Sequence, residues 1–288
     1  MKIIRLYSIL ALVSVLIASC GGEKENKTTE TNSNLTSDST AKEQVYKIYS
    51  LPAPMQLPSA IRENTTKFSE EFLSPTNLKK TQGEGTNVKK AVLLGVYGVD
   101  LGYCLLFDQN QSSINYLSKI AKLSGDMQIT GAFESSVVKR LKDNMNNKDS
   151  ASYILLNSYN NARNFFKVNK REESGFLVAA GSFVEGLHLS LSINNKNSTK
   201  EMVNVIGQQK IFLDNLVELL ETYSTQAEIK SLSDDLKDLK ASYDKITVNF
   251  VPSKDDPKVN NIGSVDAPAD VLSSLLQKTE ALRNKLLG

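Results

Sequence analysis

The chain of 288 residues has one histidine, His188, two cysteines, Cys20 and Cys104, and no tryptophan. A single histidine excludes a two-histidine zinc site, an H-E-x-x-H protease and the paired Glu-x-x-His arrangement of a di-iron bundle. A Ser-His-Asp triad would have to use His188, and no Gly-x-Ser-x-Gly elbow surrounds any serine. No glycine-rich phosphate loop of either common type is present. Asp255-Asp256-Pro257 lacks the spacing and the glycine of a calcium loop. Repeats of fixed period are also missing. No catalytic residues, metal site or cofactor are therefore expected.

The termini and totals narrow the class further. Met1 to Arg5 is a short basic stretch and Leu6 to Ile17 is an apolar run, too short for a comfortable membrane span of about 20 residues. Ile17-Ala18-Ser19-Cys20 follows: an aliphatic residue, two small ones and a thiol. This resembles the lipobox of bacterial lipoproteins. The resemblance implies a signal peptide over 1–19, cleavage before Cys20, and acyl chains such as palmitate on the new terminus. Several chains, at about 0.8 kcal/mol per buried CH2, make a stable anchor where one would be marginal. Loss of residues 1–19 takes Lys2 and Arg5 from the 34 basic residues and leaves 32 against 32 acids. A neutral domain argues against nucleic acid as a partner and offers no polybasic membrane patch. With Cys20 acylated, Cys104 is the last thiol and no intramolecular disulfide can form.

Residues 20–44 hold little that a core can use, and composition predicts a disordered tether. Gly21 after the cysteine is compatible with sorting to an outer membrane. Glu23-Lys24-Glu25 and Asp38-Ser39-Thr40 resemble the surface-export and O-glycosylation patterns of Bacteroidetes lipoproteins. The location implied is the cell envelope, as an outer-membrane lipoprotein on the periplasmic or the surface face.

Residues 45–288 read as one helical domain. The pattern predicts an all-α, irregular bundle of about eight helices around two central apolar helices, 88–107 and 172–193. Gly95, Gly98 and Gly102 line one stripe of the first, and Gly175, Ala179, Ser182 and Gly186 are small positions of the second. Such stripes predict close approach of the two helices. The first helix is expected to run on almost unbroken through Leu123. Further helices are expected over 59–73, 131–146 with Thr130 as cap, from about 150 through Phe166, from Ser198-Thr199 to about 223, from Thr225-Gln226 through Tyr243 towards Pro252, and from Pro268 to Leu287. Residues 251–267 read as a long polar loop. Asn157, Asn160, Asn161 and Asn164 share one helix face, either solvated or a polar binding surface.

Two acids sit alone in the apolar helices: Asp100 in the first and Glu185 in the second, with His188 one turn on. Buried acids must be paired, hydrogen-bonded or neutral. Asp100, Glu185 and His188, with Arg163 or the asparagine face, form the candidate ligand-binding set; convergence on an open cavity favours a ligand, and convergence in a sealed core a structural role. Glu185-Gly186-Leu187-His188 reverses the Gly-x-His-x-x-Glu motif of imelysin-like proteins, so the likeness to them is one of class and compartment only. The stretches around Asp100 and Glu185 resemble uncharacterised helical lipoproteins of Bacteroidetes. The reading is a membrane-anchored, non-enzymatic lipoprotein with a binding or assembly role and an envelope protein as partner. The alternative is a ligand- or metal-handling helical domain using the buried Asp/Glu/His cluster.

Overall fold

The computed structural model describes residues 56–65, 67–76, 85–129, 133–252 and 260–288. Cys20, the leader, the tether and the Thr130 cap lie outside them. Among the described residues there are nine α-helices and one two-stranded sheet. In chain order these are α1 (Gln56–Asn64), a single 3-10 turn (Glu70–Phe72), α2 (Asn87–Leu106), α3 (Asn110–Asp126), α4 (Ser135–Asp143), α5 (Lys148–Val168), α6 (Glu172–Lys196), α7 (Lys200–Glu221), α8 (Ala227–Tyr243), β1 (Thr247–Pro252), β2 (Asn260–Asp266) and α9 (Ala269–Leu287).

The fold is the expected all-α bundle around the two apolar helices. Every residue of α2 from Ala91 to Leu105 is buried, and so is every residue of α6 from Phe176 to Asn194. Helices apolar on all sides must be enclosed by others, and α6 is wrapped by α2, α5, α7 and α9. By length and composition α6 is the one candidate membrane span among the described residues, yet 94% of its apolar window is buried inside the bundle.

Glycine makes the central contact. A Cβ built on Gly95 would lie 2.0 Å from the carbonyl oxygen of Val178, and one on Gly181 would lie 2.0 Å from that of Val92. Backbone thus meets backbone on both sides of the crossing, and the Ser182 hydroxyl donates across it to the Gly95 carbonyl at 3.3 Å. Gly181, absent from the expected small positions, is as essential to the contact as Gly95.

Caps set several boundaries. Thr86, Asn147 and Thr199 each accept a hydrogen bond from the backbone N–H three residues on, which satisfies one of the orphan donors of the first turn. Other boundaries differ from the sequence pattern. The expected run from α2 into α3 is broken at Asp108, which takes a left-handed φ of 59°. The helix expected over 59–73 stops at Asn64, and an irregular segment with one 3-10 turn follows. Residues 247–252 and 260–266 pair as antiparallel strands where helix end and polar loop were expected. Thr247, Val248, Phe250 and Val251 are β-branched or aromatic, and this local preference prevails in a segment that no helical stripe holds to the core. Val265 anchors the hairpin in the space above Gly207 of α7, and its N–H donates to Asn204 at 3.1 Å.

Candidate functional site

Asp100, Glu185 and His188 do come together, and a residue from the far end of the chain joins them. Asp100 projects from the middle of α2, and Glu185 and His188 from adjacent turns of α6. Arg283 reaches in from α9. Its Nε donates to Glu185 Oε2 at 2.7 Å and its Nη2 to Glu185 Oε1 at 2.8 Å, a two-point fork. The same Nη2 donates to the Phe72 carbonyl at 3.1 Å. Both acids are fully buried and Arg283 nearly so, at 8% exposure.

Arg163 is not part of this group. It lies on α5 with its guanidinium 5.8 Å from the centre of the Tyr159 ring. The cation the buried acids require is Arg283 instead. Its sequence signal is its position: Leu275, Thr279 and Arg283 fall at i, i+4 and i+8 on the buried face of α9. A charge on the apolar stripe of an amphipathic helix implies a buried partner.

The carboxyls share their proton unevenly. Burial, and then the negative charge of Glu185, push the Asp100 carboxyl well above the usual carboxylate range. Burial also raises Glu185, while the Arg283 fork works to keep it ionised. Of the two, Asp100 is the one held more strongly towards its protonated form. Among the described residues no donor faces Asp100 Oδ1, so as an anion it would be an unpaired buried oxygen. With a proton it becomes the donor of a hydrogen bond to Glu185. With that proton in place and Glu185 ionised against Arg283, the group sums to zero charge. Burial and the adjacent Arg283 lower His188 to about 4, so the ring is neutral. Its edge packs against Phe72 at 6.5 Å between centroids, and its Nδ1 faces the Ser192 hydroxyl at 3.5 Å.

The cluster holds residues 69–75, a strap that has little secondary structure of its own to satisfy its backbone. The Ser69 N–H donates to Tyr103 Oη at 3.2 Å. The Phe72 carbonyl accepts from Arg283. The Ser74 N–H donates to Asp100 Oδ2 at 3.2 Å, and the Ser74 hydroxyl donates to the same oxygen. The Ser74 carbonyl accepts from Tyr116 Oη at 2.5 Å, and the Pro75 carbonyl from Tyr97 Oη at 3.4 Å. Side chains of α2, α3 and α9 thus do for this strap what a neighbouring strand does in a sheet. Ser74, Tyr97, Tyr103 and Tyr116 were not among the expected site residues.

On its outer side the cluster is closed by the strap. A small polar cleft of about 230 Å³ lies beyond, lined by residues including Glu70, Ser74, Thr76, Ser112, Asn115 and Tyr116. Of its lining residues, Ser74 is hydrogen-bonded to Asp100, and Tyr116 to the Ser74 carbonyl. Among the described residues no three of His, Cys, Asp and Glu stand close enough together to hold a metal ion. Cys104 is buried in α2, and burial raises its thiol far above the range of a reactive cysteine. On α5, Asn160 and Asn164 are exposed and Asn157 is half-buried.

No family model, curated protein or solved structure matches the chain.

Proposed function

We propose that this is a lipid-anchored protein of the cell envelope, of the Bacteroidetes lipoprotein type, whose helical domain serves a non-catalytic binding or assembly role. The lipobox at Cys20 supports the anchor, and the sealed cluster supports the role. One observation carries the second part: the polar groups expected to meet a ligand are turned inward. Glu185 spends both oxygens on Arg283, Asp100 spends one on Ser74, and Arg283 spends its remaining reach on the Phe72 carbonyl. A balanced buried network of this kind fixes which segments lie together, at a cost in desolvation that its hydrogen bonds offset. The domain then acts as a rigid body presented from the outer membrane to a protein partner. Incorporation of labelled palmitate into the wild type, lost in Cys20→Ala, is the expected result. Equal labelling of the two would sink the anchor.

The ligand-handling alternative has one observation in its favour, the polar cleft beside Ser74 and Tyr116. Under that reading a small polar ligand binds there, next to the buried Asp/Glu/His cluster. Its metal variant is tested by elemental analysis of the purified protein: a stoichiometric transition metal supports it and background levels count against it.

A further inference from the structure

A cleft of about 550 Å³ opens between α3 and α4, a size within the range of small-molecule sites. It shares no lining residue with the cleft beside Ser74. Its room comes from α3, which lines it with Ala121, Ser124 and Gly125. Gly125 lies inside a helix, where glycine is less favourable than alanine. Neither usual reason for a glycine applies. It does not have a positive φ, and a Cβ built on it would meet nothing within 4 Å. What Gly125 provides is space. Ser124 beside it is 2% exposed, and its hydroxyl has no hydrogen-bond partner among the described residues. A serine within a helix can bond the carbonyl four residues back, as Ser118, Ser158, Ser182 and Ser190 do. Ser124 does not. Ser113 and Ser233 are orphaned as well, and Ser124 adds to that a place on the wall of the cleft.

Ile129, Phe133 and Val138 make much of the remaining lining apolar. Its charges are not all committed. Lys139 and Asp143 pair with each other at 2.5 Å. Glu134 already has a partner, and it stands at the N-cap of α4, where the helix dipole favours an anion. Lys142 is exposed and forms no ion pair among the described residues. The cleft therefore offers an occupant one uncommitted cation, one unpartnered hydroxyl and an apolar wall. We propose that it binds a small amphipathic monoanion, an apolar chain or ring that carries one carboxylate. The apolar body lies along Ile129, Phe133 and Val138 in the room that Gly125 leaves. The carboxylate accepts a hydrogen bond from the Ser124 hydroxyl and is drawn by the Lys142 ammonium. The site depends neither on the anchor at Cys20 nor on the buried acids.

Octanoate is the probe, added to the full chain carrying Cys20→Ala so that no acyl chain of its own competes. Amide NMR spectra of this protein should show octanoate moving the Ser124 and Gly125 signals in a one-site titration. Octanol, the same chain without the charge, should bind at least about tenfold more weakly. Ser124→Ala removes a hydrogen bond to a charged group and should weaken octanoate about tenfold, with less effect on octanol. Lys142→Gln removes an exposed charge and should weaken octanoate about threefold. Gly125→Leu starts from a Cβ that meets nothing, so it should fill the room, keep the circular dichroism of the fold and abolish binding. Octanoate that binds Gly125→Leu as tightly as its parent sits elsewhere, which overturns the site. Equal affinity for octanoate and octanol refutes the anionic head and the proposal with it. Ser124 and Gly125 signals unmoved at millimolar octanoate also overturn it, and that reading needs no variant of the cleft.

Discussion

Replacing Asp100 by asparagine isolates the shared proton of the buried cluster. Asparagine matches the protonated acid: its Nδ2 donates towards Glu185, and its Oδ1 accepts from the Ser74 N–H and hydroxyl. The wild type must keep a proton on Asp100 when folded, yet releases it when unfolded above the ordinary carboxylate range. The folded pKa is raised, so the stability this group contributes is fully present below the unfolded pKa. It is lost as pH climbs towards the folded value. In that window the wild type binds one more proton folded than unfolded and loses about 1.4 kcal/mol of stability per pH unit. The variant has no such term. Its stability relative to wild type should rise by about 1.4 kcal/mol for each pH unit between the unfolded and the folded pKa of Asp100. Urea denaturation at a series of pH values, with Cys20→Ala as the common background, reads the difference directly. Parallel curves for the two proteins would mean that Asp100 is ionised in the fold and that the assignment of the proton is wrong.

Four other outcomes follow from named contacts. Glu185→Gln leaves the Arg283 guanidinium buried without its counter-ion and should cost about 3–5 kcal/mol in urea denaturation, the opposite of the Asp100→Asn result at neutral pH. Gly95→Ala and Gly181→Ala each drive a methyl into a facing carbonyl and should cost about 3 kcal/mol, with a loss of near-ultraviolet circular dichroism if the crossing separates. Tyr116→Phe strands the Ser74 carbonyl and should cost about 1–3 kcal/mol. The Cys104 thiol should label at the rate of unfolding and no faster; rapid labelling in native buffer would place it at the surface.

The sequence made some of this legible and concealed the rest for physical reasons. The central helix pair could be read because residues 91–105 and 176–194 are too long and too apolar for any element with a solvated face. Their close crossing could be read from Gly95, though Gly181 stood hidden in a run of small residues. Meeting of Asp100, Glu185 and His188 followed from the desolvation cost of lone acids. Arg163 was the wrong cation because both arginines sit near apolar faces, and only tertiary packing decides that α9, far off in sequence, lies beside α6. The strap over 69–75 has no periodicity to detect: its conformation is imposed by side chains of three other helices. The hairpin escaped because strands this short have few alternations, and a proline at 252 reads equally well as the end of a helix.

The clamp on the strap is the claim on which the account turns, and the amide of Ser74 reports on it alone. Among the described residues that N–H has no helix or sheet partner, and it donates to Asp100. Native-state hydrogen exchange in the Cys20→Ala chain should find it protected to the same free energy as the amides at the centre of α2, because it opens only when the bundle does. Exchange of Ser74 at rates near those of an exposed loop, with α2 still protected, would contradict the clamp.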